Sequence, residues 1–578
     1  MARRLATKGT KITKERHKES FVSFVRFVAN VFVGFVAAAA VACASPPEFD
    51  LVIRGGDVFD GSGQPSQKAD VGIKGDRITA IGNLADRRAG QVIDAVGKAV
   101  APGFIDARGR SGTALLADGS GESHVRQGIT SEIIGEATSP AFWTKGTADV
   151  DGLRRLGVQF DWNGVEGYFR KLEDHGASIN LGTLVPAAMA WREAVGPAER
   201  AATADERGRM DAWVDEAMRA GGLGLSSASI DRSESLVGKE ELTSLARVAA
   251  RRGGIYAAQV STRGSQVDQA VREAIEIGQQ AKLPVLIHDL ELKGRRNWGT
   301  MSRVGGIIYQ AIARGEIVSA VQSPYTAVSG GLDAVLPRWA REGGRERMLL
   351  ALKDPAARAR MKKDIETGID GPDALLATAG FEGIQIARVP PETDQSVVGK
   401  RVTDIAASRG QNPVDTIFRL LLQTDVRADA LYHLVSEDDI RTAMQYGTVM
   451  FGTGTAAVRP EGEVVESRPH PAAYGTFPRV LGHYVREQHV IELREAVRRM
   501  TSVPAGQFKI ARRGLLRQGF HADVVVFDPQ TIGDRATYEK LYEYPAGIDY
   551  VIVNGVITVT PKGHTGARAG RRLVRVMP

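Results

Sequence analysis

Two acidic residues, Glu136 and Asp289, are the side chains of this 578-residue sequence that are best placed to do chemistry. Each follows a short apolar run of the kind that forms a buried β-strand. Their carboxylates could hold a hard cation such as Mg²⁺ or Mn²⁺ through oxygen, or one of them could act as a general base. A third possible role of the two carboxylates is to form ion pairs with Arg108 and Arg110, because buried arginines need anionic partners. We favour ion pairs between these arginines and the two carboxylates, and the other two uses stay open.

Two residues beside Asp289 add to this set. Glu291 is a further carboxylate that could take part in chemistry at the same place. Side chains alternate along a strand, so His288 should point away from Asp289. We therefore expect His288 to be a packed, hydrogen-bonded residue behind the sheet and not a ligand.

A second group of candidates consists of polar and aromatic residues that could contact a substrate. Arg479 could bind a substrate carboxylate, because a guanidinium group matches that geometry. The alternative is that the segment 470–482, which contains Arg479, closes the barrel by packing. The candidate substrate contacts are Tyr325, His470, Tyr474, Arg479, Arg108 and Arg110. Four other histidines are expected to be ordinary core or surface residues: His124, His433, His483 and His521.

Alternating strand and helix patterns must position these residues. Apolar runs of strand length alternate with segments whose apolar residues recur at helical spacing, which indicates parallel β/α units. About 400 residues of this pattern predict a TIM-like (β/α)8 barrel, whose functional residues lie at the C-terminal ends of the strands. The predicted strands are 179–185, 222–227, 255–260 and 284–288, and the predicted helices are 209–219, 241–252 and 266–282.

The two ends of the chain show a different pattern. Short β-like runs separated by turn residues fill 49–100, and a matching set returns at 519–529 and 550–555. We expect one small β-sandwich built from both termini. The predicted domains are a leader (1–44), a first sandwich part (48–102), the barrel (103–509) with an irregular, charged insertion near 330–400, and a second sandwich part (510–578).

The first 44 residues resemble a targeting segment. A basic stretch up to Arg26 precedes an apolar run that ends in small residues, which is typical of an export signal. The single cysteine, Cys43, follows residues that resemble a lipoprotein cleavage box. Ordinary cleavage after Ala44 and an uncleaved anchor are the alternatives. We expect an exported protein, either periplasmic or anchored to the membrane as a lipoprotein, with membrane contact only through this segment.

The net charge says little about partners. Residues 1–44 carry eight Lys/Arg against Glu15 and Glu19, so they account for +6 of the formal charge of +7. A basic leader on a nearly neutral body gives no indication of nucleic-acid binding. We expect a small-molecule amide or carboxylate as the partner and no nucleic acid.

Several motifs carry a resemblance to a known family. Residues 102–106, Pro-Gly-Phe-Ile-Asp, resemble the opening strand of the amidohydrolase superfamily, written PGFIDxHxH. Four longer phrases are similar to the D-aminoacylase, or N-acyl-D-amino-acid deacylase, branch, and the similarity extends over residues 49–575. These phrases are at 125–136, 296–299, 324–327 and 470–482.

The resemblance implies one or two zinc ions, held largely by histidines, that activate water for amide hydrolysis. This chain departs from that ligand set. Arg108 and Arg110 stand at the first-strand histidines, whereas Glu136, at the bridging ligand, could still bind a metal and is the only member of the usual set that remains. The remaining departures are Gln259 and Asp289 at two later histidines, Gly454 at the proton-shuttling aspartate, and Ala472 at an arginine.

The resemblance therefore implies a hydrolase of carbon–nitrogen bonds other than peptide bonds, acting on N-acyl-D-amino acids or similar amides. Glu136 and Asp289 are the predicted catalytic residues and the predicted metal ligands. The predicted cofactor is zinc by resemblance, with Mg²⁺, Mn²⁺ or no metal as alternatives, because the imidazole ligands are gone. The competing hypothesis is a catalytically silent pseudoenzyme that binds a small carboxylated ligand or a partner. Acyl and side-chain preference and oligomeric state do not follow from the sequence.

Overall fold

A computed structural model describes residues 47–196, 200–228, 237–260, 266–371, 374–459 and 470–576. The predicted leader lies outside these ranges, so export and lipidation stay predictions. Within the described ranges, no helix is both long and apolar enough to cross a membrane.

The centre of the fold is a parallel barrel. Neighbouring strands pair in parallel register, and a bond from Ala107 N to Phe451 O (3.4 Å) joins the last strand to the first. In the described part of the chain the barrel strands are β1 (Phe104–Asp106), β2 (Ile129–Ile134), β3 (Asn180–Thr183, continued by Val185–Pro186), β4 (Gly224–Ser227), β5 (Ile255–Gln259), β6 (Val285–His288), β7 (Val318–Gln322) and β8 (Val449–Phe451). The predicted barrel is confirmed.

Helices cover the outside of the barrel, and the longer ones bury an apolar face, such as Leu242, Leu245, Val248 and Ala249 in Lys239–Arg251. Thr203 and Glu206 form a capping box at the start of Ala204–Arg219, a Thr-x-x-Glu signal readable in the sequence. The helices around the barrel are Ala114–Ala117, Glu122–Val125, Val150–Arg155, Gly164–His175, Ala187–Ala194, Ala204–Arg219, Lys239–Arg251, Val267–Ala281, Met301–Ala313, Glu437–Met444, Ala472–Arg479, Leu493–Met500 and Ser502–Gln507, with a π-helix at Val480–Glu487.

The insertion between β7 and β8 is ordered, so the prediction of an irregular segment near 330–400 is wrong. It contains a three-stranded antiparallel sheet with helices packed around it. Two of its helices are strongly charged and bury few residues: Gly344–Lys353 buries Met348 and Leu352, and Pro355–Thr367 buries only Met361. Such helices lack the apolar periodicity that sequence patterns detect. Its elements are Ala327–Gly331, Arg338–Arg341, Gly344–Lys353, Pro355–Thr367, Leu375–Ala379, Ile384–Arg388, Val402–Ser408, Pro413–Gln423 and Asp429–His433.

Both ends of the chain build a second unit, as the sequence predicts. Strand Ala99–Pro102 pairs with Val524–Phe527, and this pairing joins N-terminal and C-terminal strands into a nine-stranded sheet with its own apolar core. Its other strands are Phe49–Val58, Gln67–Lys74, Arg77–Gly82, Ala89–Asp94, Ile548–Val553, Val556–Thr560 and Gly563–His564.

A buried polar network ties this sheet to the barrel. Asn180, in β3, donates from Nδ2 to Thr130 O (2.8 Å) in β2. Its Oδ1 accepts from Asn554 Nδ2 (2.7 Å) and from the backbone N of Arg571 (3.0 Å). One side chain thus satisfies groups from the barrel, the sheet and the C-terminal segment, and buried polar groups must be satisfied in this way.

We expect Asn180→Ala to lower the free energy of unfolding by about 1–3 kcal/mol, since it leaves the buried amide donor of Asn554 and the backbone donor of Arg571 without this acceptor. Urea unfolding would measure this loss. The matched control is Asn163→Ala, which removes an exposed amide that makes no capping bond. Equal losses in the two variants would contradict the network's role.

Candidate active site

The predicted site residues meet at the C-terminal rim of the barrel. Arg108 and Arg110 follow β1, Glu136 follows β2, and Asp289 follows β6. Parallel strands place such residues at one rim, where barrel enzymes carry their active sites. The structure therefore brings these four residues together at the rim that the sequence predicts.

Arg108 lies at the centre of this group and is buried, with 7% of its surface exposed. Its Nε and Nη2 donate to the two carboxylate oxygens of Glu136 (2.7 and 3.2 Å), and its Nη1 donates to Asp289 Oδ1 (3.1 Å). Arg110 Nη2 reaches Glu136 Oε2 (3.0 Å), but its side chain is 55% exposed. The ion pairs that the sequence favoured are present.

These cations set the protonation of both carboxylates. Burial alone would raise the pKa of Glu136, but the charges of Arg108 and Arg110 lower it to about 2. Burial of Asp289 is likewise outweighed by Arg108 and Lys293, which hold its pKa well below the usual range. Both groups are ionised at neutral pH and are therefore weak bases.

Glu291 behaves in the opposite way. Burial and then the charge of Asp289 raise the pKa of Glu291 well above its usual range. Ser323 N donates to Glu291 Oε1 (2.7 Å), and Lys293 Nζ lies 3.7 Å from Oε2. Two neighbouring carboxyl groups with opposed pKa shifts are a common arrangement for proton transfer.

Lys293 was missed by the sequence reasoning. It forms an ion pair with Asp289 and is 9% exposed. A signal was available, because charged residues at 289, 291 and 293 follow the apolar strand β6 at every second position.

His288 is buried, as expected, but the expectation of a hydrogen-bonded residue behind the sheet is wrong. Its Nδ1 lies 3.7 Å from Glu136 Oε1, on the side of the site, and neither ring nitrogen has a hydrogen-bond partner. Strand alternation ends here because Asp289 adopts a left-handed conformation (φ 61°), which turns its side chain toward Arg108. Burial lowers the pKa of His288 to about 4, so the ring is neutral.

A cavity of about 470 Å³ opens over these groups, and most of its lining is polar. Arg108, Arg110, Asp289 and His470 are the predicted residues that line it. The other lining residues in the described part of the chain are Gln259, Glu291, Lys293, Ser323, Ala327, Val328, Ser329, Thr453, Gly454, Thr455 and Ala456.

The remaining predicted contacts form a packed aromatic cluster beside the cavity. The ring of Tyr325 meets that of His470 edge-on at 5.2 Å between centroids, and the Arg479 guanidinium lies 5.2 Å over Tyr325. Arg479 is held by Asp534 (3.2 Å), and Tyr474 is fully buried. Tyr325, Tyr474 and Arg479 are not among the described residues that line the cavity. Their contact with substrate stays a prediction.

Below the rim lies a second polar cluster that includes His124. Its Nδ1 is 2.9 Å from Glu132 Oε2, while Asp106 accepts from Thr453 Oγ1 (2.6 Å) and N (3.1 Å). Ligand atoms of Asp106, His124 and Glu132 lie within 4.8 Å of one another, close enough for a metal ion. The hydrogen bonds already use these atoms, so the cluster connects β1, β2 and the loop after β8.

The structure is a parallel (β/α)8 barrel with a cavity lined by ionisable residues at its C-terminal rim. This is the architecture of the (β/α)8-barrel class of enzymes. The model of the amidohydrolase family matches residues 91–559. The chain therefore belongs to the amidohydrolase family, in its D-aminoacylase branch.

Individual relatives agree with this placement. The D-aminoacylase and the N-acyl-D-glutamate deacylase of Alcaligenes xylosoxydans xylosoxydans are each 32% identical over 91% of this chain, covering 98% and 97% of their own lengths. A crystal structure of N-acyl-D-glutamate deacylase from Bordetella bronchiseptica, complexed with zinc and a phosphonate mimic of the tetrahedral intermediate, superposes with a TM-score of 0.72. It is 30% identical and covers 91% of this chain and 99% of its own.

The residues at this rim do not fit a zinc ion of the kind the resemblance implies. A zinc site needs several free imidazole, thiolate or carboxylate donors about 2.0–2.3 Å from one point. Here a guanidinium, which has no lone pair for a metal, lies between Glu136 and Asp289 and binds the oxygens that would face the ion.

We expect Arg108→Met to cost about 3–5 kcal/mol of stability at neutral pH, because it leaves two buried carboxylates without their shared partner. Arg110→Met, at an exposed position, should cost about 0–1 kcal/mol. Urea unfolding of both variants beside the wild type would measure the difference.

The cost of Arg108→Met should also depend on pH. The ion pair lowers the pKa of Glu136, so its contribution is complete above the free glutamate value of about 4.3. It is lost as the pH falls toward about 2. A stability difference that stays constant between about pH 7 and about pH 3 would rule out this ion pair as the cause.

Proposed function

We propose that this protein hydrolyses the amide carbon–nitrogen bond of N-acyl-D-amino acids or of similar amides in the rim cavity. The substrate class is suggested by the relatives, which are named for acting on such compounds. The observation that carries the chemistry is Glu291, a buried carboxyl group with a raised pKa that faces the same cavity as Arg110 and Lys293.

Two cations suit the charge of such a substrate. The guanidinium of Arg110 is exposed in the cavity and uses Nη2 for Glu136, so a substrate carboxylate can approach its remaining donors. Lys293 lies deeper, beside Glu291, where a positive charge would stabilise the oxyanion of a tetrahedral intermediate.

The reaction then needs one group that takes and returns a proton. In its ionised form Glu291 accepts a proton from water while the water oxygen bonds to the amide carbon. The protonated Glu291 next donates that proton to the amide nitrogen, and the carbon–nitrogen bond breaks. The products are a carboxylic acid and a free amino acid, so all atoms of amide and water are accounted for.

Glu136 and Asp289 have a supporting part in this scheme. Their low pKa values make them poor proton acceptors, but their charges hold Arg108 and Lys293 in place. Direct catalysis or metal binding by Glu136 and Asp289 stays a prediction.

We also propose that the protein meets its amide or carboxylate ligand outside the cytoplasm. The support is the basic and apolar pattern of residues 1–44, which is typical of an export signal.

Amide substrates of this kind are small enough for the cavity of about 470 Å³.

We expect the purified protein to release free amine from N-acetyl-D-amino acids, and more slowly or not at all from the L enantiomers. A panel with neutral and acidic side chains, read by an amine-detecting assay, would test this. If N-acetyl-D-amino acids bind but are not hydrolysed, the hydrolase proposal fails and the chain is a binding protein.

Glu291→Gln should lower kcat by at least about 100-fold, since it removes the group that transfers the proton. The binding of substrate should change little, because Arg110 and Lys293 remain. Glu240→Gln, at an exposed position on a helix of the barrel's outer layer, is the matched control. Full activity of Glu291→Gln would assign the proton transfer to another residue.

The pH profile should follow the same carboxyl group. Glu291 is protonated below its raised pKa and becomes a base above it, so kcat/KM should rise with pH. The midpoint should lie well above the free glutamate value of about 4.3. A profile measured on wild type and Glu291→Gln should lose this rise in the variant, whereas a purely structural role would leave its shape unchanged.

A further inference from the structure

The position of Gly454 explains how Arg108 fits into the rim. Gly454 follows β8, has φ 65°, and donates its backbone N to Arg108 O (2.8 Å). A Cβ atom at this position would lie 2.9 Å from Nη1 and 3.6 Å from Cζ of Arg108, and apart from its chain neighbours no other described residue lies within 4 Å of it. A side chain at 454 would therefore press on the guanidinium, which its ion pairs with Glu136 and Asp289 hold in place.

The charges buried around Arg108 are paired. Glu136 and Asp289 contribute two negative charges, Arg108 and Lys293 contribute two positive charges, and the more exposed Arg110 adds a third cation beside Glu136. The two buried cations bring the charge that one divalent metal ion would bring to the same carboxylates. Removal of a cation from such a buried group would leave charge unpaired, which is costly.

We infer that Arg108 and Gly454 act as one complementary unit, in which the glycine makes room for the guanidinium and the guanidinium is the resident cation of a metal-independent centre. Arg108 takes both oxygens of Glu136 and one of Asp289. A divalent cation would have to expel this guanidinium before it reached those oxygens.

This inference does not depend on turnover. Metal content and the steric coupling of two residues can be measured whether or not the protein hydrolyses amides. An inactive protein that contains no metal would overturn the proposed function and leave this inference standing, and an active zinc protein would do the reverse.

The first experiment measures metal in the full-length protein after growth with Zn²⁺, Mn²⁺ and Mg²⁺, together with its melting temperature with added zinc and with a chelator. We expect metal well below one ion per chain and a melting temperature that neither addition changes. Stoichiometric metal whose removal lowers the melting temperature would overturn the inference.

The second experiment tests the coupling by a double-mutant cycle. Gly454→Ala is made in the wild type and in the Arg108→Lys background, which lacks the guanidinium group that meets the new Cβ. Gly410→Ala is the matched control, because Gly410 also has a positive φ (58°) but open space around it, so it reports the backbone cost alone.

In the wild type, we expect Gly454→Ala to lower the melting temperature more than Gly410→Ala does. In the Arg108→Lys background, we expect Gly454→Ala to lower it only about as much as Gly410→Ala does in the wild type. The excess drop is the collision with the guanidinium. Equal drops for Gly454→Ala in both backgrounds would show that the two residues are independent, and the complementary unit would be rejected.

Discussion

The buried guanidinium of Arg108 is the interaction on which the rest of the rim depends. It joins residues that follow β1, β2 and β6, three strands that are distant in sequence, through charge-assisted hydrogen bonds. Burying these charges is expensive unless each has a partner. The ends of the strands are therefore held in one arrangement, and the cavity above them keeps its shape and its positive side chains.

That arrangement also divides the acidic residues into two kinds. Carboxylates in contact with Arg108 are held in the ionised form, and Glu291, whose pKa is raised by burial and by the charge of Asp289, is not. Burial and neighbouring charges thus separate groups that balance charge from a group that exchanges protons near neutral pH. In this chain the positive charge beside these carboxylates comes from Arg108 and Lys293.

Sequence reasoning predicted the barrel, the sheet shared by both ends and the pairing of Arg108 with Glu136 and Asp289, because these follow from periodicity, motifs and charge. It failed for His288, since a single left-handed residue, Asp289, ends the strand alternation on which that prediction relied. It also failed for part of the insertion, where the charged helices Gly344–Lys353 and Pro355–Thr367 bury few residues and show weak periodicity. Backbone conformation at one residue and contacts between distant helices are not encoded in local patterns.

The sheet that takes strands from both ends has a consequence for how the chain folds. Ala99–Pro102 cannot complete its pairing until Val524–Phe527 has been synthesised, more than 400 residues later. Contacts this far apart in sequence close slowly, and strands that wait for partners expose edges that favour aggregation. During synthesis the N-terminal strands of this sheet stay unpaired on one side until the C-terminal strands are made, which makes chaperone assistance valuable to this architecture.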